Sequence, residues 1–230
     1  MITTEFSNEF DALVQSYPTV AEFGKIDRVA FDEYEKSVFL TKAQEELVIE
    51  LYNGKNPFND SFEKTEEIRR YLGELTKQYS TSSKEEGGLS KDSYIFTLPD
   101  DLWFIVYEEV GVSDSKLGCN TDRTLLVVPT THDEYNKVRN NPFRGQGKRR
   151  AIRLDLTNNK VEIISTYNVV QYLIRYIAKP SPIIVVDLPE SLSINGISKK
   201  TECSLSPAIH RAILDRAVKL ALASKGIAGK

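Results

Sequence analysis

The side chains best equipped for chemistry are two histidines, two cysteines and a lysine framed by glycines in Gly145-Gln146-Gly147-Lys148. Imidazole and thiol groups act as metal ligands, or as base and nucleophile, when they converge. His132 stands in the first turn of an expected helix and His210 early in another, and neither has a Cys, Asp or Glu at ligand spacing on the same face. A structural metal site needs about four ligands, so no metal is assigned. Cys203 and His210 are close enough in sequence to meet, which leaves a thiol–imidazole pair open. No local signature surrounds them, and a packing cysteine is the favoured reading. Cys119 and Cys203 form no C-x-x-C and are read as reduced. No paired His/Asp/Glu motif occurs either, so an enzyme is not expected, and a hydrolase or transferase ranks last among the function classes. No catalytic residue and no cofactor is assigned.

The glycine-framed lysine suggests a phosphate loop, but the P-loop pattern requires a glycine where Pro142 stands and a Ser or Thr where Arg149 stands. The stretch also opens towards a strand rather than a helix. What remains is a loop, flexible on this reading, that carries Arg139, Arg144, Lys148, Arg149 and Arg150, with Arg153 just beyond it. Dense cations grip phosphates with salt-dependent strength, or dock on an acidic protein surface. These six are the candidate contacts to DNA or to a partner, although base-reading elements for specific recognition are not evident.

The elements that must carry these residues divide the chain. The fold class expected is α+β, with a helical region over 1–79, a flexible linker over 80–91, an antiparallel β-rich region over 92–205 and a C-terminal helix over 206–225. Phe6, Phe10, Leu13, Val14 and Tyr17 recur at helical spacing over 4–16, and Pro18 ends that helix. Residues 31–39 are helix-compatible but short. Thr41-Lys42-Ala43-Gln44 reads as a capping box that starts a helix through Leu51, with Asn53-Gly54 as its left-handed stop. A third helix is expected over Ser61–Tyr79. The Ser, Gly, Lys and Glu of 80–91 cannot bury apolar surface and mark a mobile passage to strands.

From Asp92 the pattern becomes β: strands are expected over 94–98, 102–108 and 124–128. Thr131 to Glu134 reads as a second capping box, before a short helix towards Arg139. Residues 151–156 and 160–165 form a hairpin whose Asn158-Asn159 suits positive φ. Further strands are expected at 169–177 and 183–186, separated by Pro180 and Pro182. Ser206 and Pro207 start the last helix. Its apolar residues form two stripes. Ile209, Ile213, Ala217, Leu220 and Ala221 make one; Leu214, Val218 and Leu222 lie beside it. A helix apolar over more than half its circumference must be covered on two sides, and these residues are the candidate subunit interface.

Composition is that of an ordinary globular chain, 40% hydrophobic and 27% charged. No apolar run approaches the ~20 residues of a membrane span, no signal peptide is evident at the N-terminus, and synthesis in a cytosol is expected. The net charge of -3 hides an asymmetry: residues 1–138 hold 27 acids against 14 bases, whereas residues 139–230 hold 6 against 16. The two regions can face each other within one fold, an acidic surface of one copy can meet a basic surface of another molecule, or the basic part can meet nucleic acid.

Three stretches together resemble a known family. They are Thr41-x-Ala43-Gln44-Glu45-Glu46 to Leu51-Tyr52-Asn53-Gly54 with Phe62-Glu63-x-x-Glu66-x-x-Arg69-x-x-Leu72; Arg175-Tyr176-Ile177-x-Lys179-Pro180-x-Pro182-Ile183-Ile184; and Leu205 through Ile209-His210, Ile213-Leu214, Arg216-Ala217-Val218 and Leu220-Ala221. The set resembles the virion ring (neck) proteins of crAss-like tailed phages, and the closing helix resembles that of head-to-tail connectors. The likeness spans roughly residues 31–80 and 172–224. It implies a homo-oligomeric ring of twelve copies, stacked near the portal and adjacent ring or tail proteins in the virion neck. Such a ring would conduct DNA and seal the head, and the subunit would be made in the host cytoplasm. The alternative from a different class is a nucleic-acid-binding accessory protein that uses the basic loop 139–153.

Overall fold

In the computed structural model, which describes residues 1–17, 29–55, 65–117 and 122–226, the chain forms two compact units. Residues 1–75 and 179–230 make the first; residues 76–178 make the second. The α+β class holds, with helices at both ends of the sequence and a mostly antiparallel sheet in the middle.

The first unit is helical. In α1 (Thr3–Ser16), Phe6, Phe10 and Val14 lie one turn apart and all three are buried, the single apolar face that the spacing requires. Pro18 lies outside the described residues. The two segments expected at 31–39 and from Thr41 are one helix, α2 (Glu33–Asn53), capped at Asp32, nine residues before the predicted box. The Asp32 carboxylate accepts from the Glu35 amide at 2.6 Å, and the Glu35 carboxylate accepts from the Asp32 amide at 3.1 Å. The predicted stop is found: Gly54 takes φ 72°.

The third helix is far shorter than expected. α3 spans only Glu66–Tyr71, a 3-10 turn follows at Gly73–Leu75, and Thr76–Thr81 form β1. Residues 61–64 lie outside the described residues. Tyr79 has the right spacing for a helix, but β1 pairs with β8 (Val169–Ala178) at all six positions, so ladder hydrogen bonds replace helical ones. The stretch read as a linker thus contains the end of β1 and a two-residue strand β2 (Glu85–Glu86).

No strand forms at 183–186; Ile184 makes one isolated bridge with Thr201. A 3-10 turn at Pro207–Ile209 then leads into α5 (His210–Ser224), which packs against α1 and α2. Lys36 ties α1 to α2, with its buried ammonium 2.7 Å from Asp11, 2.9 Å from Glu33 and 3.1 Å from the Ser7 hydroxyl. Burial opposes its charge, but these partners more than offset that and leave its pKa raised.

The second unit is one eight-stranded sheet in the order β1-β8-β4-β5-β6-β7-β3-β2. Its remaining strands are β3 (Ser93–Thr97), β4 (Leu102–Ser113), β5 (Asp122–Pro129), β6 (Arg150–Asp155), β7 (Lys160–Ile164) and β8 (Val169–Ala178). All neighbours are antiparallel except β5 and β6. Parallel strands need a crossover, and α4 (His132–Arg139) with the loop after it supplies one. Tyr135 and Val138 of α4 cover Ile152, Leu154 and Ile164 on one face. The hairpin at 158–159 is as expected, with φ of 59° and 53° at its two asparagines. On the other face the sheet curls until Phe96 of β3 lies 5.2 Å, ring to ring, from Tyr172 of β8, and the enclosed side chains form the core.

Candidate interaction surface

The basic loop is organised rather than loose. The Asn141 carboxamide oxygen accepts from the amides of Phe143 at 2.8 Å and Arg144 at 3.1 Å. Gly145 then folds onto the end of α4, and its amide donates to the Asn141 carbonyl at 2.7 Å. A Cβ there would stand 2.8–3.0 Å from the carbonyl oxygens of Asn141, Val138 and Arg139, so only glycine fits. Gly147 and Arg150 pair across a tight turn that puts Lys148 and Arg149 at its tip. Finally, the Arg150 guanidinium donates to the Phe143 carbonyl at 2.6 Å.

This loop borders an open depression of about 610 Å³ lined by Arg123, Thr124, Leu126, Arg149 and Arg150. Arg123 comes from β5, where the sequence marks a strand but no contact. Its guanidinium donates at 3.5 Å to the Lys148 carbonyl. None of Arg123, Arg139, Arg144, Lys148, Arg149 and Arg150 forms an ion pair among the described residues. Two exposed apolar side chains accompany them: Leu126 is 52% exposed and Phe143 is 85% exposed. An exposed leucine within a strand that also holds buried Leu125 and Val127 is what alternation produces; that signal could have located it.

Arg153 leaves the candidate set. It points into the curled sheet, where its guanidinium donates to Glu108 at 2.6 Å, and the Tyr172 hydroxyl donates to the other Glu108 oxygen at 2.8 Å. Its Nε lies 3.0 Å from Asp155 but off the hydrogen-bonding direction, so that contact is electrostatic only. Burial pushes the Glu108 carboxyl up, against the opposing pull of Arg153. Burial, then the Glu108 charge, pushes the Tyr172 phenol up and keeps it a donor. Arg153 is thus committed to the core and is not free to meet DNA or a partner.

The two stripes of α5 are covered inside the first unit. Ile209, Ile213, Leu214, Ala217, Val218, Ala221 and Leu222 are all buried, and Leu220 is half-buried. The surface left over on this helix therefore does not by itself call for a neighbouring subunit, because α1 and α2 occupy the two sides that the stripes require.

The chemically equipped residues do not converge. His132 bonds the Asp155 carbonyl at 2.8 Å, and Thr131 makes no side-chain cap to the helix amides, so the second capping box is not formed. His210 is buried in the first unit, its Nε2 donating to the Leu205 carbonyl at 2.9 Å and its Nδ1 2.8 Å from the Met1 ammonium. Cys203 donates to the Gln44 side-chain oxygen at 3.1 Å rather than to an imidazole, and burial pushes its thiol up to about 11, the reverse of an activated nucleophile. Cys119 lies outside the described residues. Among the described residues, no group of three or more His, Cys, Asp or Glu could hold a metal ion, and no helix is long and apolar enough to cross a membrane.

Two kinds of comparison bear on this geometry. The family model described as phage tail ring protein 3/4 matches residues 1–230. "Ring protein 3" of Bacteroides phage crAss001 is 51% identical over 228 residues, which is 98% of this chain and 96% of that protein. "Ring protein 4/5" of the same phage is 34% identical over 236 residues, covering 97% and 93%.

Proposed function

Since this chain belongs to the phage tail ring protein 3/4 family, we propose that it is a non-enzymatic virion subunit that closes into a ring of identical copies, twelve in number. In this reading the ring lies in the neck between portal and tail, stacks on adjacent ring proteins and forms part of the DNA conduit. The observation that carries it is the end-to-end likeness to a protein named for a ring, at 51% identity with 98% of the chain aligned. Closed point-group assembly from a single chain needs only one heterologous contact whose rotation closes.

The test is negative-stain imaging and mass measurement of the purified protein, alone and mixed with the portal protein. Closed rings of uniform size, alone or on the portal, are expected. A chain that stays monomeric under all these conditions overturns the reading.

A second reading, a nucleic-acid-binding accessory protein, is favoured by one observation: the cations of the basic loop have no ion-pair partner among the described residues. Its signature would be an affinity for duplex DNA that falls steeply with salt. Retained affinity after Arg144, Lys148, Arg149 and Arg150 are all changed to Ala would remove it.

A further inference from the structure

We propose that the cationic patch of the second unit, with Leu126 in its floor and Phe143 at its apex, is the surface through which one copy of this chain holds helix α1 of the next copy. This rests on the ring reading and deepens it by naming the face that makes the contact.

The patch is costly to hold empty. Arg123, Arg149 and Arg150 border one depression with no carboxylate among its described lining residues, and Arg144 and Lys148 stand on the same loop. Like charges held together repel. The chain does not let them spread: the Asn141 turn, the seat of Gly145 on α4 and the Gly147–Arg150 pairing hold them in place. Such a fixed positive field favours an anionic occupant and needs little ordering when one arrives.

Which anion is decided by the apolar side chains. A nucleic-acid backbone is satisfied by cations alone, and although a base could stack on Phe143, it gains nothing specific from an aliphatic side chain. Leu126 is half-exposed beside the guanidinium groups, and Phe143 is almost fully in solvent. An apolar anchor ringed by charge is the pattern of a protein interface.

Charge complementarity names the protein. α1 carries Glu5, Glu9 and Asp11 with no lysine or arginine; Lys36 already holds Asp11, which leaves Glu5 and Glu9 as its exposed carboxylates. Its exposed side also offers carbon surface at Leu13 and Tyr17, the latter 37% exposed. α1 thus presents carboxylates and apolar groups together. A patch on one copy that meets a different surface on the next is a heterologous contact, the type that generates rings.

The experiment uses the full chain. Phe143 is replaced by the photo-crosslinker p-benzoylphenylalanine, isotopically light and heavy copies are mixed, assembled and irradiated, and the joined peptides are mapped. Products that link position 143 to residues 1–17 of the other copy are expected. In parallel, R149E/R150E is expected to raise the concentration needed for assembly about tenfold or more, and E5K/E9K added to that variant is expected to restore it. If rings form with R149E/R150E at the wild-type concentration, or if position 143 joins only DNA, only another protein or nothing in assembled rings, this contact is overturned while the ring reading stands. If the unaltered chain forms no ring at all, the ring reading fails first and takes this contact with it.

Discussion

The Thr41 hydroxyl, in the middle of α2, accepts a hydrogen bond from the Ile183 amide at 3.0 Å, across 142 residues of sequence. It belongs to a stripe. Ser37, four residues earlier, accepts from the Val185 amide at 3.1 Å, and Gln44, three residues later, donates to the Ser181 carbonyl at 2.8 Å. Residues 181–185 therefore place backbone groups on helix side chains where a sheet would have supplied a neighbouring strand. All three helix residues are buried. Thr41→Val should leave the Ile183 amide buried without an acceptor and lower stability by about 1–3 kcal/mol, with Thr41→Ser close to the original. Urea unfolding of the three proteins checks this.

The buried pair of Glu108 and Arg153 supports a second expectation. Removal of one member strands a charge inside the sheet, which typically costs about 3–5 kcal/mol, whereas exchange of both for apolar groups of similar volume is often near neutral. Arg153→Ala should destabilise strongly, and E108L/R153M should recover most of the loss. A double-mutant cycle by chemical denaturation measures it.

His210 sets a pH dependence. Burial, opposed by its bond to the Leu205 carbonyl and aided by the Met1 ammonium, lowers its pKa from the usual 6.5. A depressed folded value means that the neutral ring is the one the fold prefers. Its contribution is therefore fully present above pH 6.5 and is lost as pH falls through the folded value. Unfolding free energies at pH 7.5 and 5.5 should differ, and His210→Gln should shrink that difference.

Gly145 should tolerate no side chain. Gly145→Ala brings a Cβ to 2.8–3.0 Å from three carbonyl oxygens, none of which can rotate away. A loss of about 1–3 kcal/mol is expected, as for other overpacked sites. Amide hydrogen exchange should show faster exchange confined to residues 139–150 first, because the loop is tied to α4 through this contact.

Cys203 should be a poor nucleophile. With its thiol pushed up to about 11 from 9.0, the thiolate fraction at pH 8 falls on the order of a hundredfold. Alkylation of Cys203 in a Cys119→Ser variant should be correspondingly slow under native conditions and become fast in denaturant. Rapid native alkylation would revive the thiol–imidazole pair.

Local periodicity and turn chemistry carried much of the fold. The apolar face of α1, the glycine stop after α2, the Asn158-Asn159 hairpin and the aromatic and β-branched runs of β3 and β5 are all statements about residues a few positions apart, and each is found. The family likeness of the two ends was equally legible, because it lies in runs of neighbouring residues. The basic loop was legible as charge but not as a surface, since Arg123 joins it from another strand.

What failed were the readings in which distant partners decide. Thr41 and Gln44 have the composition of a helix start, yet the acceptor and donor they need come from residues 181–183. Tyr79 continues a helical spacing but is drawn into β1 by β8. Arg153 looks like one more cation of the loop, until the curl of the sheet sets Glu108 and Tyr172 around it. The doubly apolar α5 specified two covered sides but not which molecule covers them, and α1 and α2 of the same chain do so. Sequence by itself determined which groups seek burial, charge or a turn. Tertiary structure alone decided who satisfies them, because hydrogen bonds and desolvated charges depend on distances that the order of residues does not contain.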